Sequence, residues 1–177
     1  MKRLFLHVTG YYPRSYQNCG YWSEEEVRKL PVVKSLDYDQ IILCGGEPIT
    51  CRYETRDLAK SLRNVLNAMG KKDTKIYLQT HSCDFNESDE IVRYCDGMVL
   101  IPLDIDQMRY FRQLNKHFLD TQYRGKKDLR LSVKPELRGF LPENLKLWSM
   151  VDEDSEKDIE KFSFRIAEPF NCVRFNW

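Results

Sequence analysis

The sequence predicts an α/β fold built on parallel strands. Three observations lead there. Apolar runs that read as strands alternate with amphipathic segments that read as helices, joined by short links. The run "DQIILC" (39–44) is continuously apolar rather than alternating, the pattern of a strand in a parallel sheet covered on both faces. The segment that follows, Glu54 to Met69, puts Leu58, Leu62, Val65, Leu66 and Met69 on one face, with Gly70 where a helix C-cap belongs. The expected form is a partial (β/α) barrel of about five or six parallel strands, and the 177 residues read as one domain spanning 1–177.

Leu4 to Val8 is the first strand, followed by the irregular, aromatic segment "TGYYPRSYQNCGYW". "SEEEVRKL" then reads as a short helix, with Ser23 as N-cap and Glu26 three residues on completing a capping box. After the second strand and its helix, "KIYLQT" (75–80) is a strand and "SDEIVRYC" (88–95) a short helix capped by Ser88. "GMVLIPL" (97–103) is another buried strand. "DQMRYFRQLNKHFLDTQ" (106–122) is a helix with a core stripe of Met108, Phe111, Leu114 and Phe118, opposite a solvated face of Arg109, Arg112 and Lys116. "LRLSVKP" (129–135) is a fifth strand. The charged "VDEDSEKDIEKF" (151–162) reads as a solvated helix or loop, and "SFRIAEPFNCVRFNW" (163–177) is a candidate for further strands, interrupted by Pro169.

Composition excludes some classes of function. Lys+Arg 28 against Asp+Glu 27 leaves a net charge of +1, so no global field draws the chain to nucleic acid or to a membrane surface. No apolar stretch reaches the roughly 20 residues of a membrane helix. The opening "MKRLFLHVTGYY" has too short an apolar core for a signal peptide, and "RLFLHVT" reads as a strand. The six cysteines are scattered, which fits reduced thiols and a cytoplasmic location better than a disulfide scaffold. A small molecule or a protein is the kind of partner left open, and no oligomeric state is legible.

In a parallel sheet or barrel, functional groups gather at the C-terminal ends of the strands. Those ends are Thr9 to Trp22, Cys44 to Cys51, Thr80 to Cys83, Leu103 to Asp106 and Lys134 to Glu136. At the second of them stands "GGEP", directly after a buried strand, with "YLQTHS" ending the third strand and "YCDGMVLIPLD" forming the fourth. Over residues 3 to 135 this arrangement resembles the radical S-adenosylmethionine (radical SAM) family. The resemblance implies a partial barrel in which Gly45, Gly46, Glu47 and Pro48 hold the amino end of S-adenosylmethionine, with Thr80 beside them. The residue types suit that role. Glycines admit close approach of backbone carbonyls, a carboxylate accepts a charge-assisted bond from an ammonium, and proline fixes the turn.

The family's [4Fe–4S] cluster is held by Cys-x3-Cys-x2-Cys in the loop after the first strand. Here the same spacing reads Tyr12, Tyr16, Cys19. Phenols do not replace the thiolates that hold such clusters, so a conventional [4Fe–4S] centre is not expected, and the radical chemistry that depends on it is not expected either. Cys19, Cys44, Cys51 and Cys83 all fall near strand ends, where a rewired cluster or a zinc site is conceivable. None of these pairs has short metal-ligand spacing, and Cys44 also suits the role of a small buried apolar residue.

Of the histidines, His7 reads as packed within the first strand, His81 as a loop residue at a strand end that could face the pocket, and His117 as exposed on a helix. Tyr11, Tyr12, Tyr16, Tyr21 and Trp22 form an aromatic loop that either covers the barrel mouth or stacks on a base. The functional expectation is therefore a degenerate radical-SAM-like protein that binds S-adenosylmethionine or a related nucleotide. The alternatives are an enzyme using the same pocket with an unusual cluster or non-radical chemistry, and a non-catalytic interaction protein.

Overall fold

The computed structural model describes residues 1–8, 24–30, 37–120, 126–151, 156–167 and 171–175, with the side chains of 24, 26, 27, 164–167 and 171–175 left aside. Its elements run β1 (Lys2–His7), α1 (Glu24–Lys29), β2 (Gln40–Cys44), α2 (Arg52–Ala68), β3 (Lys75–Thr80), α3 (Phe85–Val92), β4 (Gly97–Leu100), α4 (Ile105–Asp120), β5 (Asp128–Leu131), β6 (Trp148–Met150), β7 (Glu160–Ala167) and β8 (Asn171–Phe175). Two 3-10 helices, Pro48–Cys51 and Pro135–Phe140, follow β2 and β5. The strands form one sheet in the order β6-β5-β4-β3-β2-β1-β7-β8. Every neighbouring pair from β6 to β7 is parallel, and β8 is antiparallel to β7.

The α/β class with a parallel sheet is as expected. The strand count is higher than about five or six, because β6, β7 and β8 extend both sides of the sheet. β6 is three residues long and only Trp148 in it is buried, so it leaves almost no periodic signal. β7 takes up the end of the stretch read as solvated. Glu156, just ahead of it, accepts from Arg3 Nη1 at 2.6 Å, and that guanidinium lies on a side chain only 7% exposed. β7 thus begins in the charged stretch and continues into the run at 163–167, where it pairs with β1. Ser23, Pro169 and the capping-box side chain of Glu26 lie outside what is described.

The sheet has two unlike faces. On one, Leu4, Leu6, Ile41, Leu43, Ile76, Leu78, Met98, Leu100, Leu129 and Leu131 pack against the apolar stripes of α2, α3 and α4 in a single core. Met108, Phe111, Leu114 and Phe118 of α4 are all buried there, and Trp148 sets its ring edge-on to Phe111 and Phe118. On the other, Ile42, Cys44 and Tyr77 pack together with Phe5, and no described helix contributes to that cluster. This second face is polar toward the start of the strands. Arg3 Nε donates to Gln40 Oε1 at 2.9 Å. Arg130 donates from Nη2 to the Tyr77 hydroxyl at 2.8 Å and to Asp128 Oδ2 at 2.7 Å, and Tyr77 donates to the same carboxylate oxygen at 2.8 Å. Among the described residues, helices cover β2 on one face, and Phe5 and Tyr77 of neighbouring strands pack against it on the other.

Two helix boundaries differ from the sequence reading. α2 begins at Arg52, and the 3-10 turn fills the gap back to the glycines. α3 begins at Phe85 because Asp84 caps it, accepting from Asn86 N at 2.8 Å. Ser88, expected as the cap, is fully buried one turn inside, its hydroxyl donating to the Asp84 carbonyl at 2.8 Å. Gly70 does end α2 with a left-handed φ of 73°. No described helix is long and apolar enough to cross a membrane.

Candidate functional site

The parallel register brings the C-terminal ends of β1 to β4 side by side, and the polar groups there are bonded across strands. The β1–β2 ladder is prolonged by Val8 N, which donates to the Cys44 carbonyl at 2.8 Å. The β3–β4 ladder is prolonged by Ile101 N, which donates to the Thr80 carbonyl at 2.9 Å. Beyond Cys44 the chain turns sharply. Gly45 has φ 88° and Gly46 φ 51°, conformations that L-residues with a Cβ rarely adopt. A Cβ on Gly45 would also stand 2.7 Å from His7 Cβ and 2.9 Å from His7 Cα. Glycine is thus required at Gly45 twice, by its dihedral and by the closeness of β1.

Glu47 follows in extended conformation and caps the 3-10 turn that Pro48 opens. Its side chain is only 7% exposed, and three donors meet it. Oε1 accepts from the Thr80 hydroxyl at 2.6 Å and from Ile49 N at 3.2 Å, and Oε2 accepts from His81 N at 2.8 Å. The Thr80 hydroxyl itself accepts from Ser82 N at 3.0 Å. Thr50 closes the turn from the other side, donating its hydroxyl to the Glu47 carbonyl at 2.7 Å. A buried carboxylate needs such donors, since leaving a buried charge unpaired is costly. Glu47 therefore binds the end of β2 to the end of β3.

Gly45, Gly46, Glu47, Pro48 and Thr80 do converge at one place, as their positions at strand ends led one to expect. The first duty of the Glu47 carboxylate, however, is internal. A carboxylate offers about four acceptor positions, and three are occupied here, leaving one on Oε2. His81 is more than a loop residue. Its backbone N–H is one of the three donors, and its ring Nδ1 stands 2.9 Å from the Ile101 carbonyl at the end of β4. Nothing in the sequence spacing pairs Glu47 with His81. The available signal was that both are polar residues at the ends of adjacent buried strands.

The described cysteines near the strand ends are buried or paired. Burial pushes the Cys44 thiol up to about 12. Burial, reinforced by the negative charges of Asp104 and Glu47, does the same to Cys83. Cys51 is held in a disulfide, which departs from the expectation of reduced thiols. A disulfide sulfur is not available as a thiolate ligand to an iron–sulfur cluster, so Cys51 as found does not supply one. Among the described residues no group of three or more His, Cys, Asp or Glu is placed to hold a metal ion. Tyr11, Tyr12, Tyr16, Cys19, Tyr21 and Trp22, which carry the cluster-loop and aromatic-loop expectations, lie outside the described residues. His117 is not exposed as expected: it is half-buried, stacked on Phe85 with centroids 4.8 Å apart, with Nε2 3.4 Å from Asp89 Oδ1.

No protein-family model matches the chain, and no curated protein sequence matches it.

Proposed function

We propose that the protein is a radical-SAM-like binding protein, without the usual [4Fe–4S] site, that takes S-adenosylmethionine or a related nucleotide at the C-terminal ends of β1 to β4. The observation that carries this reading is the Gly45–Pro48 turn. Two consecutive left-handed glycines end a buried parallel strand, and a buried glutamate fastens the turn to the next strand. Such a turn leaves backbone without side-chain cover at the end of the sheet where ligands bind in this class of architecture, which supports the reading. A parallel sheet whose described helices pack on one face supports the partial-barrel form of the reading.

Cys51, held in a disulfide, offers no thiolate to a recruited cluster, which weighs against radical catalysis through that residue. Non-radical chemistry in the same pocket and a purely interacting protein are the competing readings. Calorimetric titration of the folded chain with S-adenosylmethionine decides first. Saturable heat is expected. Absence of heat at millimolar ligand from protein with an intact thermal transition removes the binding reading and leaves the interaction protein.

A further inference from the structure

One flank of α4 carries a feature that the strand-end turn does not use. Ile105, Met108, Arg109 and Arg112 stand at i, i+3, i+4 and i+7 on that helix, so they share one face. Phe140, the last residue of the 3-10 helix after β5, closes the other side. These residues line a groove of about 410 Å³. Its floor is Met108, buried at 2% exposure and continuous with the core. Its walls, Ile105 and Phe140, stay 44% and 43% exposed. Large apolar side chains left open together at a concave place mark a binding surface, as scattered single ones do not.

The charges set the chemistry of the ligand. The lining holds two arginines and no acid. Arg109 Nη1 bonds Asp106 Oδ1 at 3.0 Å, which spends part of its guanidinium. Arg112 has no hydrogen-bond or ion-pair partner among the described residues. The charges that flank the lining along the chain cancel: Asp104, Asp106 and Glu136 against Lys116, Lys134 and Arg138. The two lining arginines therefore remain as the surplus, and a guanidinium presents its fork of N–H donors to a carboxylate. Size favours a small ligand over a protein. A stable protein interface takes about 20–30 residues a side, whereas this groove falls within the roughly 300–1,000 Å³ of small-molecule sites.

We propose that the groove between α4 and Pro135–Phe140 is a binding site for a small amphipathic carboxylate. The apolar body of the ligand lies on Ile105, Met108 and Phe140, and its carboxylate on Arg112, with Arg109 as second donor. The groove shares no residue with the Gly45–Pro48 turn, so it stands whether or not that turn takes a ligand.

Octanoate, octanol and octylammonium are the probes: one apolar chain with a negative, a neutral and a positive head. Each is titrated into the full chain carrying isotope-labelled methyl groups, and the Met108 and Ile105 methyl resonances are read. Octanoate should move both saturably, octanol more weakly and octylammonium least. Arg112→Gln should weaken octanoate about three- to fivefold, the scale of an exposed ion pair, and leave octanol unchanged. Phe140→Ala should weaken octanoate and octanol alike. Both side chains are exposed, so the melting temperature of each variant should stay near that of the parent. Should either variant fail to fold, the order of the three probes on the parent decides alone. No movement of the two methyls with millimolar octanoate overturns the proposal. Equal affinity of the parent for octanoate and octanol overturns it too, as does equal affinity of parent and Arg112→Gln for octanoate, since the charge then selects nothing. Movement confined to other methyls also overturns it, because the ligand then sits elsewhere.

Discussion

Replacing Gly45 by alanine tests the geometry of the turn, and Gly70 provides its control. Both residues have left-handed dihedrals, φ 88° and 73°. An L-residue held there costs roughly 1–2 kcal/mol, partly offset by about 0.4–1 kcal/mol from the smaller entropy of the unfolded chain. At Gly70 nothing lies within 4 Å of the added Cβ, so strain is the whole effect. At Gly45 the added carbon meets His7 Cβ at 2.7 Å, Nδ1 at 2.8 Å and Cα at 2.9 Å. Two of those atoms belong to or adjoin the backbone of a strand paired on both sides, so rotation of the imidazole cannot relieve the clash. Overpacking of this kind adds about 1–3 kcal/mol. Gly70→Ala should then lower the melting temperature by a few degrees. Gly45→Ala should lower it further, by roughly 2–4 °C for each additional kcal/mol in a domain of this size. Urea unfolding of both variants beside the parent gives the free energies directly. Equal losses at the two sites would refute the close approach of β1 to the turn.

Thr80→Val removes the hydroxyl that donates to Glu47 Oε1 at 2.6 Å and should cost about 1.5–3 kcal/mol, the scale of a bond to a charged group. Thr80→Ser should retain most of the stability in the same urea titration. Asp128 is raised by burial, but the hydrogen bonds from Arg130 and Tyr77 outweigh this and hold its carboxyl below the usual range. Its contribution to stability is therefore complete above the unfolded value of about 3.9 and is lost as pH falls through the lower folded value. Asp128→Asn should flatten the acid limb of a stability–pH curve and leave its slope above pH 6 unchanged. Cys44, Cys83 and Cys95, each with its thiol pushed up to about 12 by burial, should escape alkylation at pH 8 in native protein and be labelled once it is unfolded, as read by peptide mass spectrometry. Glu47→Gln should lower the melting temperature, because an amide NH2 must then face one of the N–H or O–H donors around the carboxylate. Its effect on ligand affinity is thus not a clean measure of contact.

The central strands were legible because their residues are apolar whichever face they meet: Ile41 and Leu43 face helices, Ile42 faces Tyr77 and Phe5. The strand β6 and the charged start of β7 were not, although 163–167 was a candidate strand. Trp148 is the sole buried residue of a three-residue strand, and β7 is entered through charged residues whose partner Arg3 is more than a hundred and fifty positions away, with |i−j| of 153. Gly45 to Pro48 and Thr80 could be placed at strand ends by counting. The hydrogen-bonding of Glu47 to His81, and of His81 to Ile101, depends on the register of β2, β3 and β4. That register follows from packing between strands and is not carried by any local pattern.

The strand that lies beside β1 on its far side is β7, with Lys2 opposite Glu160 and His7 opposite Arg165. β1 is thus an interior strand whose second neighbour, β7 at Glu160–Ala167, follows long after it in the chain. At about 5–20 residues per second of synthesis, the nascent chain exposes one row of β1 backbone donors and acceptors for roughly 8–30 s before its partner emerges. An unpaired parallel edge of that sequence, KRLFLH, is a template for pairing with another chain. The lysine and arginine at its start repel a second copy of the same strand, so the charges that open this chain also guard it while it is incomplete.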